Sequence, residues 1–208
     1  MAVLPMFPLG SVLLPGQVLP LHVFEPRYRA LVHDCLAADR HEFGVVLIER
    51  GSEVGGGDQR SSVGVVAQMV QVAELHEGRF AVVAVGVSRI RVVEWLADAP
   101  YPRAEVEPWP DERFEGDIGS RLDGVHARVR RAAALAVELG DVGGDAHVDL
   151  SADPVEALWQ LAALAPIGAA DAFRLLCAPS APARLALLDG LLDDVEAAQQ
   201  FRLGGNST

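Results

Sequence analysis

LHVFEPRYRALV, residues 21–32, joins two apolar runs through a charged knot: Glu25, Pro26, Arg27 and Arg29, with Tyr28 between the arginines. A carboxylate beside two guanidinium groups suits acid–base chemistry. The spacing suits a strand-to-helix junction better. Pro26 fits the first helical position, where a missing N–H has no consequence. Glu25 then falls at the N-cap, where a carboxylate accepts orphan N–H groups and meets the helix dipole favourably. Tyr28, Leu31, Val32, Cys35 and Leu36 recur at helical spacing, which predicts a helix from about Pro26 to Ala38 with one apolar face. Arg27 and Arg29 leave such a helix on different faces and do not clamp one ligand together.

Outward from this junction the chain separates into a β half and an α half. Before it lie AVLPMFPL and SVLLPGQVLPLHVF, short apolar runs punctuated by proline, with Pro15-Gly16 as a turn signal. After it come FGVVLIE (Phe43–Glu49), VGVVAQMVQVAEL, RFAVVAVG, SRIRVVEWL and YPRAEVEPW. FGVVLIE reads as a strand buried on both faces. The triplet HEG reads as a hairpin turn. In SRIRVVEWL the facing is ill defined, whereas in YPRAEVEPW Ala104 and Val106 oppose Tyr101, Arg103, Glu105 and Glu107. RGSEVGGGDQRSS reads as a long mobile loop. About six short strands with one helix predict an α+β chain that starts as a small barrel.

Past the hinge WPDERFEGD the pattern turns helical. A helix from about Phe114 to Leu139 carries Leu122, Val125, Val129, Ala132, Ala133 and Ala136 on one stripe. GDVGGDAHVDLSAD is a Gly/Asp loop. Asp153, Pro154 and Glu156 form a helix start, with Asp153 as N-cap and Glu156 reaching back. A short helix, AADAFRLLCA, and a longer one with Leu185, Leu188, Leu192 and Val195 in register complete the chain, and the tail GGNST frays. The predicted division is a β-barrel subdomain over residues 1–112 and a helical subdomain over residues 113–208.

Composition removes several function classes. The chain has 208 residues and a net charge of −12, with no basic stripe to meet a phosphate backbone. All seventeen basic side chains are arginine. A Walker A loop, a Schiff base and a Ser–Lys dyad each need a lysine. The six histidines, His22, His33, His41, His76, His126 and His147, form no H-E-x-x-H; HEFGV begins like one, but Val45 stands where the second histidine belongs. No metal site, cofactor site or catalytic residue is therefore predicted. Cys35 falls on an apolar face, where thiols are inert. Neither GSEVGGGDQ nor GVSRI has the setting of a phosphate loop or a nucleophile elbow. Two distant cysteines suit a reducing cytoplasm. The N-terminus lacks the marks of a signal peptide, and no apolar run reaches membrane-spanning length.

The runs FPLGSVLLPGQVLPLHVFEPRYRALVHDCL, FGVVLIERGSEVG, EGRFAVVAVGVSRIRVVEW and YPRAEVEPWPDE follow one another in an order that resembles the Lon protease N-terminal substrate-binding domain, best in its stand-alone bacterial form. The later helical stretch resembles the same domain less specifically. Val65 stands where the family often has threonine. The resemblance implies a PUA-like pseudo-barrel followed by a helical bundle. In full-length Lon this region helps to select and hold unfolded or degron-bearing substrates, ahead of ATPase and Ser–Lys protease modules.

The leading expectation is a non-enzymatic module that binds a protein or an unfolded polypeptide, as an adaptor or quality-control factor. The alternatives are RNA binding, known for other PUA-like barrels, and a small-molecule enzyme built on Glu25, Arg27, Tyr28 or the histidines. Expected partner contacts are Leu13 and Leu14 in the proline-rich loop, together with Arg27 and Tyr28; the groove between barrel and bundle is a further place for them. Protein-binding patches are apolar and exposed.

Overall fold

The proline-rich start forms strands, and prolines sit where a ladder tolerates them. In the computed structural model, residues 2–50, 59–141 and 149–205 are described. Of the loop predicted over residues 50–62, residues 51–58 lie outside them, whereas Arg50 and residues 59–62 are strand, a correction to that expectation; residues 142–148 of the loop predicted over 140–153 and the last three residues of the tail also lie outside. β1 (Ala2–Leu9), β2 (Val18–Val23), α1 (Pro26–Ala37), β3 (Glu42–Arg50), β4 (Gln59–Glu74), β5 (Phe80–Leu96) and β6 (Arg103–Pro108) follow in order. The sheet order is β2-β5-β4-β3-β1-β6, and β6 also pairs with β5. That second pairing closes β1, β3, β4, β5 and β6 into a ring. β2 hangs on the first half of β5, and its outer edge pairs with no described strand.

RFAVVAVG and SRIRVVEWL are one continuous strand, β5, rather than two. β5 is long enough to serve β2 and β4 with its first half and β4 and β6 with its second. A register shift at Val93 explains the ill-defined facing of SRIRVVEWL, and two more interrupt the pairing of β4 with β5. Val70 is an extra residue between Met69 and Gln71, Val87 between Gly86 and Ser88, and Val93 between Val92 and Glu94. All three valines are at least half exposed, because a bulged residue leaves the alternation of its strand. Inside the ring, Met6, Val46, Ile90, Ala104 and Val106 pack as one cluster. Gly44 leaves room for Met6, whose Sδ would lie 2.5 Å from a Cβ there.

α1 starts at Pro26 as predicted and buries Tyr28, Leu31, Val32 and Cys35. Leu36 is 40% exposed, off the edge of that face. The Tyr28 ring stacks on Phe7 at 4.1 Å, and Phe7 tilts on Phe43 at 6.1 Å. These contacts hold α1 against β1.

Two compact units divide the chain between Pro110 and Asp111. The second contains α2 (Gly119–Glu138), α3 (Pro154–Leu164), α4 (Ala169–Leu176) and α5 (Ala181–Gly205). α2 begins five residues later than its pattern suggested. Gly116 has φ 103°, in the left-handed region, and the Asp117 carboxylate accepts from the Gly119 N–H at 2.7 Å. The predicted α2 stripe is buried in full, as are Leu185, Leu188 and Leu192 of α5, while Val195 is half-buried. Asp153 caps α3 through the Val155 and Glu156 N–H groups. Glu156 accepts instead from the Ser151 hydroxyl, which itself accepts from the Asp153 N–H, so the predicted reach back to the cap residue runs through Ser151. Arg184 of α5 is fully buried, donates to both carboxylate oxygens of Asp111 at 2.6 and 3.0 Å, and lies 3.4 Å over the Trp159 ring.

Candidate functional site

The proline-rich loop does not offer its leucines to solvent. Leu13 and Leu14 are 4% and 2% exposed, which corrects the expectation that they form a contact surface. Leu14-Pro15-Gly16-Gln17 is a tight turn. Gly16 has φ 79°, and the Gln17 N–H donates to the Leu14 carbonyl at 3.1 Å, the arrangement that a Pro-Gly pair favours. The turn then folds onto β5: the Gly16 N–H donates to the Gly86 carbonyl, and the Gly86 N–H to the Gln17 carbonyl. A Cβ on Gly86 would collide with the Leu14 carbonyl. This close approach takes both leucines into the interior.

Tyr28 is also buried, and its ring belongs to the stack with Phe7. Arg27 lies over the other side of the charged knot. Its guanidinium sits 4.6 Å from the Tyr28 ring centre, and its Nε donates to Glu25 at 3.0 Å. Glu25 is at the N-cap but makes no side-chain cap hydrogen bond. Its carboxylate is taken by Arg27, a correction to the predicted capping role. Both partners are 18% exposed. Glu25 and Arg27 thus satisfy each other, while Arg29 packs against Gly78.

The exposed apolar side chain at this junction is one the sequence reading passed over, Phe24, which is 57% exposed. Alternation along β2 explains it. Leu19 and Leu21 are half-buried and Val23 is buried, while Val18, Pro20 and His22 are exposed, and Phe24 continues the outer set. A period-two count through VLPLHVF was the available signal. Shallow clefts lie on both sides of Phe24. The larger, about 190 Å³, is lined by Phe7, Leu9, Leu21, Val23 and Tyr28 among others. The smaller, about 180 Å³, is lined by His22, Val23, Phe24, Leu75, Arg79 and Phe80. Leu75 is itself 44% exposed.

The β2 backbone adds a second property. Since the Gly86 N–H bonds to the Gln17 carbonyl, alternation of an antiparallel ladder directs Leu19, Leu21 and Val23 at β5. Val18, Pro20 and His22 then point their backbone groups outward. Pro20 has no donor to lose there, the usual place for a strand proline. The edge offers the N–H groups of Val18 and His22 and three carbonyls.

The larger cleft is also lined by His22, Glu25 and Tyr28, with the Tyr28 ring stacked on Phe7 and the Glu25 carboxylate held by Arg27. No group of three His, Cys, Asp or Glu that could hold a metal ion occurs among the described residues. Burial, with a smaller push from Asp34, raises the Cys35 thiol to about 12, far from the thiolate needed for attack. Burial and a 2.6 Å hydrogen bond donated to Asp34 likewise raise the Tyr101 phenol to about 12. Both groups are locked in their neutral forms. No described helix is long and apolar enough to cross a membrane.

Comparison with known proteins agrees with this architecture. A family model described as the ATP-dependent protease La (LON) substrate-binding domain matches residues 3–194. A Lon protease of Anaeromyxobacter dehalogenans is 32% identical over 66% of this chain, which spans 16% of that protein. A LON peptidase N-terminal domain and RING finger protein of Schizosaccharomyces pombe is 22% identical over 99% of this chain and 48% of its own length. The chain thus spans about a sixth to a half of the length of these relatives. The crystal structure of a Lon N-terminal domain protein from Xanthomonas campestris superposes with a TM-score of 0.63 at 26% identity, covering 91% of this chain and 98% of that one.

Proposed function

Since the chain belongs to the family of Lon substrate-binding domains, we propose that it is a non-catalytic module that holds polypeptide on the surface around Phe24. The observation that carries this reading is a large apolar side chain, 57% exposed, standing between two clefts beside an unpaired strand edge. Such a surface suits an extended segment. Backbone groups of β2 supply sequence-independent hydrogen bonds, and the clefts take alternate apolar side chains. An unfolded chain offers both features, whereas a folded protein hides them. The neutral Cys35 and Tyr101 support a role without chemistry. The net charge of −12 disfavours RNA as the ligand. On this reading the module acts as an adaptor or quality-control factor in a reducing cytoplasm.

The test is a titration against one polypeptide in two states. A reduced and carboxymethylated secretory protein, labelled for fluorescence anisotropy, is expected to bind saturably. The same protein in native, disulfide-bonded form is expected not to bind. Failure of the unfolded form to bind at low salt sinks the proposal.

A further inference from the structure

We infer that the helical unit binds an arginine side chain of a polypeptide, in a cleft between the start of α4 and the second half of α5. The inference goes beyond the Phe24 surface and does not depend on it.

The cleft has a volume of about 250 Å³. Small-molecule sites occupy roughly 300–1,000 Å³, so this one suits a single long side chain. Ile167, Leu191 and Val195 give it an apolar floor. Asp141 and Asp171 line it and are engaged by Arg202 and Arg174. Both ion pairs are open to solvent, where such pairs hold weakly. Arg202 lines the cleft as well, and it also donates to the Leu139 carbonyl at 2.9 Å. Asp194 is exposed, lines the same cleft and makes no hydrogen bond or ion pair among the described residues.

A second observation comes from Gln199, which is only 6% exposed and lines this cleft too. Its Nε2 donates to the Ala132 carbonyl at 2.8 Å. A carbonyl only accepts, so this bond fixes the orientation of the amide and turns Oε1 the other way. Oε1 accepts from no group among the described residues. It is nevertheless not among the orphan polar atoms sealed from solvent. An acceptor left open on a buried side chain carries a desolvation cost that an arriving donor removes.

These acceptors call for a cation with several donors. A metal ion does not answer, because no three His, Cys, Asp or Glu side chains converge on one point among the described residues. A guanidinium spreads five N–H donors over a plane and gives up its water more readily than an ammonium. Its methylene stem covers an apolar floor while the head reaches a polar rim. The positive end of α4 opposes a cation, but Asp171 in the first turn offsets that end. The lining holds three carboxylates against one guanidinium, and the whole chain carries −12, so a basic group is also drawn in from a distance. Free arginine brings its own α-carboxylate into this field, whereas an arginine within a peptide does not.

The decisive experiment titrates the full chain with three blocked, unstructured peptides that differ at one residue: arginine, lysine or citrulline, the neutral isostere of arginine. The arginine peptide is expected to bind about tenfold more tightly than the citrulline peptide, with the lysine peptide between them. Heteronuclear NMR is expected to show the Gln199 side-chain amide and the Asp194 backbone amide moving during the titration. Asp194→Asn, at an exposed position, is expected to reduce the arginine preference by about threefold, with circular dichroism reporting an intact fold. Free arginine is expected to bind more weakly than the blocked peptide, and equal or tighter binding overturns the assignment to a polypeptide. Equal binding of the arginine and citrulline peptides by the wild type, or binding of neither, overturns the inference. A preference untouched in Asp194→Asn, or resonance shifts confined to the β unit, overturns the placement in this cleft. The preference is expected to persist in Phe24→Ser, which separates a failure here from a failure of the Phe24 reading. The wild-type comparison decides the matter even where a variant fails to fold.

Discussion

Replacing Phe24 with serine removes the centre of the apolar surface while leaving the fold nearly untouched. The residue is 57% exposed. A phenylalanine side chain buries about 200 Å² when fully enclosed, so about 115 Å² remains for a ligand to cover. At about 25 cal/mol per Å², that area contributes about 3 kcal/mol to binding. Ordering the side chain on contact takes back about 1 kcal/mol. The remaining ~2 kcal/mol corresponds to a rise in Kd of about 30-fold. Stability is expected to change by no more than about 0.5 kcal/mol, as for other exposed positions. Anisotropy titrations with an unfolded polypeptide measure the first quantity, and urea denaturation the second. Phe201→Ser is the control, because Phe201 is 83% exposed and belongs to the helical unit. The reasoning fails if Phe24→Ser weakens binding less than threefold, or if Phe201→Ser weakens it equally.

Further expectations concern the interior. Asp111→Ala strands the fully buried Arg184 guanidinium and is expected to cost about 3–5 kcal/mol in urea unfolding, whereas Arg184→Met, which removes the charge and keeps the packing on Trp159, costs clearly less. The reverse order would mean that Asp111 does not hold the cation. Gly64→Ala drives a methyl group into the Val45 carbonyl and is expected to destabilise by about 1–3 kcal/mol. Gly190→Ala, which meets nothing within 4 Å in α5, is expected to stabilise by up to about 1 kcal/mol. Cys35 is expected to resist a thiol reagent at about pH 8 in the native protein and to react once unfolded. Tyr101 ionises near 12 in the folded chain, above its unfolded value of 10.0. Its contribution to stability is therefore complete below the unfolded value and lost as pH rises through about 12. Asp34→Asn is expected to move the phenol back down, read by ultraviolet absorbance, and an unmoved titration would deny the hydrogen bond its effect.

Much of the fold was legible because its signals are local. Pro26 after Glu25 places the start of α1, Pro15-Gly16 makes its turn, and Asp153-Pro154 starts α3, since proline fixes φ and glycine opens the left-handed region wherever they stand. The stripes of α1, α2 and α5 follow from spacing alone. The extra valines of β4 and β5 were not legible. A bulge is defined by a partner strand, and no single run reveals which residue its partner will skip.

The site divides along the same line. By itself the sequence determined a β unit followed by a helical one, a chain without the lysine of ATPase or Ser–Lys chemistry, and a junction at FEPRY that resembles one family. Only the tertiary structure decided which apolar residues meet water. Leu13 and Leu14 go inside because Gly86, far along the chain, lets the Leu14 carbonyl approach β5. Phe24 stays outside because it continues the outward-facing set of β2, Val18, Pro20 and His22, on a sheet face that no described element covers there. Glu25 turns from the helix N-terminus to Arg27, and Arg29 is left to pack on Gly78. Local conformation follows from each residue's own sterics, but exposure and charge pairing depend on which distant backbone arrives beside it.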